Sequence, residues 1–145
     1  MNQEITGKQV INGTYGETWV GDYYMDSVTA TKGVVTREFA TVKKPRQLED
    51  EYKEISRKGE GEVTYSHVDS YDLMMLARTM SEDKQESATI ISKLSDPNSE
   101  GEERIAYYGC VFPELILADW KAATAGEKTL KFNFVKHEIL GQIER

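Results

Sequence analysis

Apolar and polar positions alternate with a period of two in two clear stretches of this chain, and directly after the first of them the period changes to that of a helix. From Gly61 to Val68, Val63, Tyr65 and His67 point to one side and Glu62, Thr64 and Ser66 to the other, as in a strand with one face against a core. From Lys128 to His137, Leu130, Phe132 and Phe134 share one face, with Lys131, Asn133 and Val135 on the other. The change of period comes at Asp69 and Ser70. Ser70 suits an N-cap, because its hydroxyl can accept an orphan amide of the first turn, and Asp72 sits where the helix dipole favours a carboxylate. Leu73, Leu76, Ala77 and Met80 follow at helical spacing. One strand therefore feeds one short helix with an apolar stripe, and no other stretch reads as firmly helical.

The rest of the chain reads mainly as strands. Residues 1–16, MNQEITGKQVINGTYG, are polar and glycine-punctuated, an arm or loose first segment, with 1–12 as a flexible N-terminal arm. Glu17 to Val20 and Asp22 to Met25 flank Gly21-Asp22, which predicts strand, tight turn and strand. Ser27 to Val42 is rich in Val and Thr, and Lys32-Gly33 interrupts it, so it is two strands or one bulged strand. Lys43 to Glu60, KKPRQLEDEYKEISRKGE, is dense in charge, with only Leu48, Tyr52 and Ile55 as apolar anchors. Their spacing fits a helix, while the position between two strands fits an extended hairpin, and the local pattern leaves both open. Such an excursion is a solvated surface or an interaction element. Ser81 to Glu86 reads as a polar turn. Ser87 to Ser95 and Glu103 to Phe112 read as strands joined through DPNSEGEE, a Pro-, Asn- and Gly-bearing hairpin connection, with Pro113 ending the second. Glu114 to Trp120 is short and apolar, and Lys121 to Gly126 is a small-residue loop. About seven strands against one helix make a mainly β (α+β) chain.

Composition narrows this further. With 145 residues and 39% hydrophobic content, the chain suits one domain, 1–145, with a modest core. A formal charge of -7 opposes a surface that grips nucleic-acid phosphates, so no specific nucleic-acid binding is expected. No leader and no long apolar run are evident, so the expectation is a subunit made in a cytoplasm that does not itself bind a membrane. The lone Cys110 can form neither an intramolecular disulfide nor a cysteine metal cluster and reads as a small buried hydrophobe.

Catalytic chemistry finds little support. His67 and His137 each fall within a strand pattern, with no nucleophile or third ligand type beside them. Gly59 and Gly61 form a Gly-x-Gly among acidic neighbours that would repel phosphate. Asp96, Asn98, Glu100 and Gly101 occupy the first, third, fifth and sixth places of a calcium loop, but its twelfth place is Tyr107, which cannot supply the bidentate acid. Glu102-Glu103 and Glu49-Asp50-Glu51 read as charge runs on a solvated surface. The expectation is a protein that is not an enzyme and takes no cofactor and no metal. The residues alone also admit a small-ligand-binding β-barrel, with Trp19, Tyr23, Tyr107, Tyr108 and Trp120 lining a pocket, and a hydrolase with an unrecognised carboxylate pair.

INGTYGETWVGDYYMDSVTATKGVV, GEGEVTYSHVDSYDLMMLA, LSDPNSEGEERIAYYGCVFPELILADW and the later LKFNF together resemble the tail-tube family of PBSX-like defective prophages. That family serves contractile phage tails and R-type bacteriocins, and this chain looks closest to the diffocin-type particles. The resemblance runs from about Ile11 to Ile139. Its markers are the Gly-x-x-Gly at Gly13, the Gly-x-Gly strand leading into the helix, and the Asp-Pro-x-Ser-x-Gly-x-Glu-Arg turn from Asp96 to Arg104; Lys43 to Glu60 matches least well. The resemblance implies two packed antiparallel sheets, a sandwich or partly closed barrel with one flanking α-helix. It further implies hexameric rings stacked into a tube inside a sheath, with tail sheath, baseplate and tape-measure components as partners, in a particle released on lysis. Within that picture the charged segment is expected to meet a neighbouring subunit or ring through Lys44, Arg46, Glu51, Lys53, Glu54 and Arg57, and the net negative charge suits a conduit.

Overall fold

The computed structural model describes residues 7, 10–21, 23–75, 88–98 and 100–144. Two antiparallel sheets pack face to face. The first has five strands in the order β2-β1-β5-β6-β8, built from β1 (Gly16–Val20), β2 (Tyr23–Tyr24), β5 (Ala88–Leu94), β6 (Glu100–Cys110) and β8 (Lys136–Glu144). The second has three, β3-β4-β7, from β3 (Val28–Val42), β4 (Glu51–Ser66) and β7 (Glu127–Phe134). The two-sheet architecture is the one expected, and the sandwich is not a closed barrel.

Alternation explains the packing. On β4, Val63 and Tyr65 are buried, and on β7 so are Lys128, Leu130, Phe132 and Phe134. These residues lie opposite one another in register, Val63 against Leu130 and Tyr65 against Lys128, so they form one inner face. Val20, Ile90 and Tyr107 oppose them from the five-stranded sheet, again as a row of register partners. Tyr107 packs between Phe132 and Phe134, with ring centroids 5.6 and 4.9 Å apart. Two glycines make room for these rings. A Cβ at Gly33 would stand 2.3 Å from the Tyr107 hydroxyl, and one at Gly61 would stand 2.3 Å from Phe132. Cys110 is buried in the same core, and burial pushes its thiol up to about 11. Between the sheets, the Thr18 and Thr31 hydroxyls pair at 2.7 Å.

Several expectations require correction. The stretch Lys128 to His137 is two strands: the chain turns a corner at Val135, and β8 leaves β7's sheet to pair with β6. The described residues therefore form eight strands. Lys32-Gly33 does not interrupt β3, whose ladder runs through Lys32↔Glu62 and Gly33↔Gly61; the irregularities lie at Thr29 and opposite Glu38/Phe39. β4 starts at Glu51 rather than Gly61 and ends at Ser66, so His67 lies beyond the alternation and is exposed. Lys43 to Glu60 resolves as a hairpin. Its tip, residues 43–50, joins β3 to β4, and Arg46 turns it with φ 65.

The helix begins where the sequence places it, with residues 71–75 helical and the Ser70 carbonyl accepting the Met74 N–H at 3.1 Å. The side chain that accepts an N–H there is Asp69, from Tyr71. Leu76, Ala77, Met80 and the turn Ser81 to Glu86 lie outside the described residues, as does most of the N-terminal arm. Its described part is held at Asn12, whose N–H donates to Asp96 at 2.9 Å. Asp96 also accepts the Asn98 N–H, so it braces the β5–β6 turn.

Candidate assembly surface

The features that stand out on this fold are sheet margins and an overhanging hairpin. Among the described residues the end strands are β2 and β8 of the first sheet and β3 and β7 of the second; β2 has only two residues and β7 bridges Val111 through Asn133, so β3 and β8 are the long margins paired on one side only. Such a margin presents a row of unpaired backbone N–H and C=O groups, a template for another chain. β8 is a full-length strand whose Ile139 is 67% exposed although it lies opposite Ile105. The Ile105–Ile139 pair thus runs from the margin of the core to the exposed sheet edge. Across the corner, Phe134 meets His137 edge-on at 6.2 Å, which gives that histidine a packing role.

The β3–β4 hairpin is the second feature. From Val34 to Val42 it spans roughly 30 Å at about 3.3 Å per residue, and nearly every side chain along it is exposed. Directly paired residues share a face. Val35, Arg37 and Arg57 continue the inner face that begins at Gly33 and Gly61, whereas Thr36, Lys58, Glu38 and Ser56 lie outside. Ile55 is the extra residue of a bulge, between Ser56 paired with Glu38 and Glu54 paired with Phe39. Phe39 is 47% and Tyr52 71% exposed, far from any core of this chain.

The six residues expected at an interface all lie on this hairpin, Lys44 and Arg46 at its tip and Glu51, Lys53, Glu54 and Arg57 on β4. Four of them pair with each other: Lys44 meets Glu51 at 2.9 Å, and Arg57 binds Glu54. The Arg57 bond is also the main reason that the Glu54 carboxyl lies below its ordinary range. These charges are thus paired within the hairpin, and the apolar side chains of Phe39 and Tyr52 stand exposed among them. β8 was missed altogether, because Lys136, His137 and Glu138 make its opening too polar to separate from the end of β7.

The most perturbed ionisable cluster lies elsewhere. The Tyr65 hydroxyl donates to Asp72, and the buried Lys128 ammonium reaches the same carboxylate at 3.4 Å. Burial raises the Asp72 carboxyl, but the bonds from Tyr65, the Leu73 N–H and Lys128 outweigh it and its pKa is lowered. Burial and the Asp72 contact raise the Tyr65 phenol. Each member satisfies another, so the cluster fastens the first helical turn to the three-stranded sheet. Among the described residues no group of His, Cys, Asp and Glu could hold a metal ion. The aromatic set considered for a ligand pocket does not converge: Tyr107 is in the core, Tyr23 stacks on Tyr71 at 4.0 Å, Tyr108 donates to Glu138 and Trp120 is 83% exposed.

The sequence matches the family model described as Phage tail tube protein over residues 3–141. No curated protein matches it. Among solved structures, a chain of an extracellular contractile injection system, the PVC sheath-tube complex in its extended state, superposes with a TM-score of 0.71 at 9% identity, covering 91% of this chain and 90% of that one. A chain of the anti-feeding prophage cap, its tube-terminating cap, gives 0.71 at 9% identity over 94% and 95%. A chain of the PVC sheath/tube terminator gives 0.69 at 8% over 97% and 98%. At such identities the likeness establishes a shared fold.

Proposed function

This chain belongs to the phage tail tube protein family, and from that premise we propose that it is the inner-tube subunit of a contractile tail or phage-tail-like bacteriocin, working by self-assembly and without catalysis. Copies join margin to margin into hexameric rings, and the rings stack inside a sheath to form a conduit. The observation that carries this reading is the pair of one-sided strands β3 and β8 in a tail tube fold. A margin that is an aggregation hazard in a monomer is satisfied when a ring closes. The likeness to chains from sheath-tube, tube-terminator and anti-feeding prophage baseplate structures supports a sheath as the outer partner and a baseplate at one end, where tape-measure components would join it. Part of the -7 charge lines the channel and keeps anionic cargo from sticking. Synthesis is in the bacterial cytoplasm and release is by lysis.

The β3–β4 hairpin, with Lys44, Arg46, Glu51, Lys53, Glu54 and Arg57 at its outer end, reaches a neighbouring subunit or ring. Negative-stain microscopy and light scattering of the concentrated wild-type chain test assembly: rings or tubes are expected, and a persistent monomer overturns the reading. Replacing residues 36–58 by Asn-Gly, which closes the hairpin on Val35↔Gly59 with a two-residue turn, should leave folded monomer without tubes. Normal tubes from that variant would remove the hairpin from the assembly.

A further inference from the structure

Among the described residues, two surfaces lack a covering layer, and they carry charges of opposite sign. One is the inner face of the hairpin's outer half. Val35, Arg37 and Phe39 continue the face that Tyr107 and Phe132 cover at Gly33 and Gly61, but here no strand of the five-stranded sheet lies over them. Arg37 and Arg57 sit directly opposite each other, an arrangement that is unfavourable unless acids intervene. Glu54 takes Arg57. Among the described residues Arg37 makes no direct ion-pair contact; its charge helps to lower the Glu54 carboxyl from a distance, and its guanidinium lies 5.4 Å from the centre of the Phe39 ring.

The other surface is a cleft of about 530 Å³ between the sheets, walled by the first half of β3. Its floor is the inner face of the five-stranded sheet at Ser92, Leu94, Glu103 and Ile105. Glu103, opposite Leu94 in register, is exposed there and has no ion-pair partner among the described residues. Of the cleft's two lysines, Lys93 binds Glu102 at 3.3 Å, and Lys32 stands opposite Glu62 in the β3–β4 register. The cleft therefore offers the aliphatic side chains of Leu94 and Ile105, the Glu17 and Glu103 carboxylates, neither of which forms an ion pair among the described residues, and the unpaired edge of β3.

We propose that the inner face of the hairpin's outer half in one copy seats in this cleft of a second copy, with Arg37 meeting Glu103. The proposal rests on the self-assembly reading above and names the receiving site and the ionic contact within it. The occupant is another copy of this chain, because hairpin and cleft are unlike patches, carried by every subunit, that each supply what the other lacks. Such a heterologous contact repeats around a ring or along a stack instead of stopping at a dimer.

Charge reversal tests it. Arg37→Glu and Glu103→Arg are made singly and together, with thermal melting to establish folding and negative-stain microscopy with light scattering to measure the assembled fraction. Each single variant should melt like wild type and lower the assembled fraction at least tenfold, and the double variant should recover most of it. Single variants that assemble normally, or a double variant no better than the singles, overturn the proposal. A wild-type chain that stays monomeric overturns the tube reading itself, an outcome distinct from tubes that ignore the charge swap.

Discussion

The two halves of the β3–β4 ladder are made of the same paired strands and have opposite fates. At the inner end, Val63 is fully buried and Gly61 accommodates the Phe132 ring, because the five-stranded sheet and β7 press on that face. At the outer end, Phe39 and Tyr52 stand in solvent on the continuation of that face, among charges that pair within the hairpin. One backbone ladder thus serves the core at one end and leaves apolar side chains uncovered in the single chain at the other. What separates the two halves is the presence of a covering layer in the same chain, which means that mutations in them should be read by different measurements.

The inner half should break first and hardest. Phe132→Ala removes a buried ring that packs on Tyr107 and covers Gly61, and such truncations cost about 3–5 kcal/mol. In a domain with a modest core this loss should lower the urea midpoint sharply, with assembly lost as a consequence of unfolding. An effect below about 1 kcal/mol would mean that the core closes over the gap. The reverse change, Gly61→Val, drives a Cβ to 2.3 Å from Phe132 and 2.8 Å from the Lys32 carbonyl. Overpacking of that kind costs about 1–3 kcal/mol and would be visible in the same titration.

The fastening of the helix gives a smaller and pH-dependent effect. Asp72→Asn weakens the bonds from Tyr65 and Lys128, and hydrogen bonds to charged groups contribute about 1.5–3 kcal/mol. The folded Asp72 carboxyl is lowered below its unfolded value, so its contribution is fully present above the ordinary carboxylate range. It is lost as pH falls below about 4 and through the folded value. The difference in melting temperature between wild type and Asp72→Asn should therefore be constant near neutrality and shrink in acid. A difference that grows on acidification would contradict the assignment.

The inner half of the fold was legible because its burial partners lie within the chain. Val63 and Tyr65 on β4, and Leu130, Phe132 and Phe134 on β7, alternate with polar neighbours as a half-buried sheet requires. The hairpin could not be assigned because alternation needs one wet and one dry face, and along Val34 to Ser56 both faces are wet in the single chain. Leu48, Tyr52 and Ile55 looked helical by spacing, whereas the bulge at Ile55 and the tip at Arg46 account for that spacing in a β ladder. The corner at Val135 was hidden for a related reason. The chain crosses from one sheet to the other through Val135 and the polar Lys136, His137 and Glu138 without a Gly or Pro to mark the turn. The candidate site was legible as a charged excursion with apolar anchors, but the exposure of Phe39 and Tyr52 and the β8 margin emerge only when the sheets are assembled.

The smallest change in stability belongs to the outer half, and it gives the sharpest contrast. Phe39→Ser removes a ring that is half exposed and whose described contact is the Arg37 guanidinium, so the folded monomer should lose about 1 kcal/mol or less. If this face is covered only by another copy, the same substitution should nevertheless reduce the assembled fraction seen by light scattering, while the urea midpoint stays near that of wild type. Phe132→Ala cannot produce that separation, because it unfolds the subunit before it can test the interface. A Phe39→Ser chain that unfolds as easily as Phe132→Ala would place the hairpin's outer half inside the folding unit. One that assembles as well as wild type would mean that its exposed ring is not what a neighbour covers.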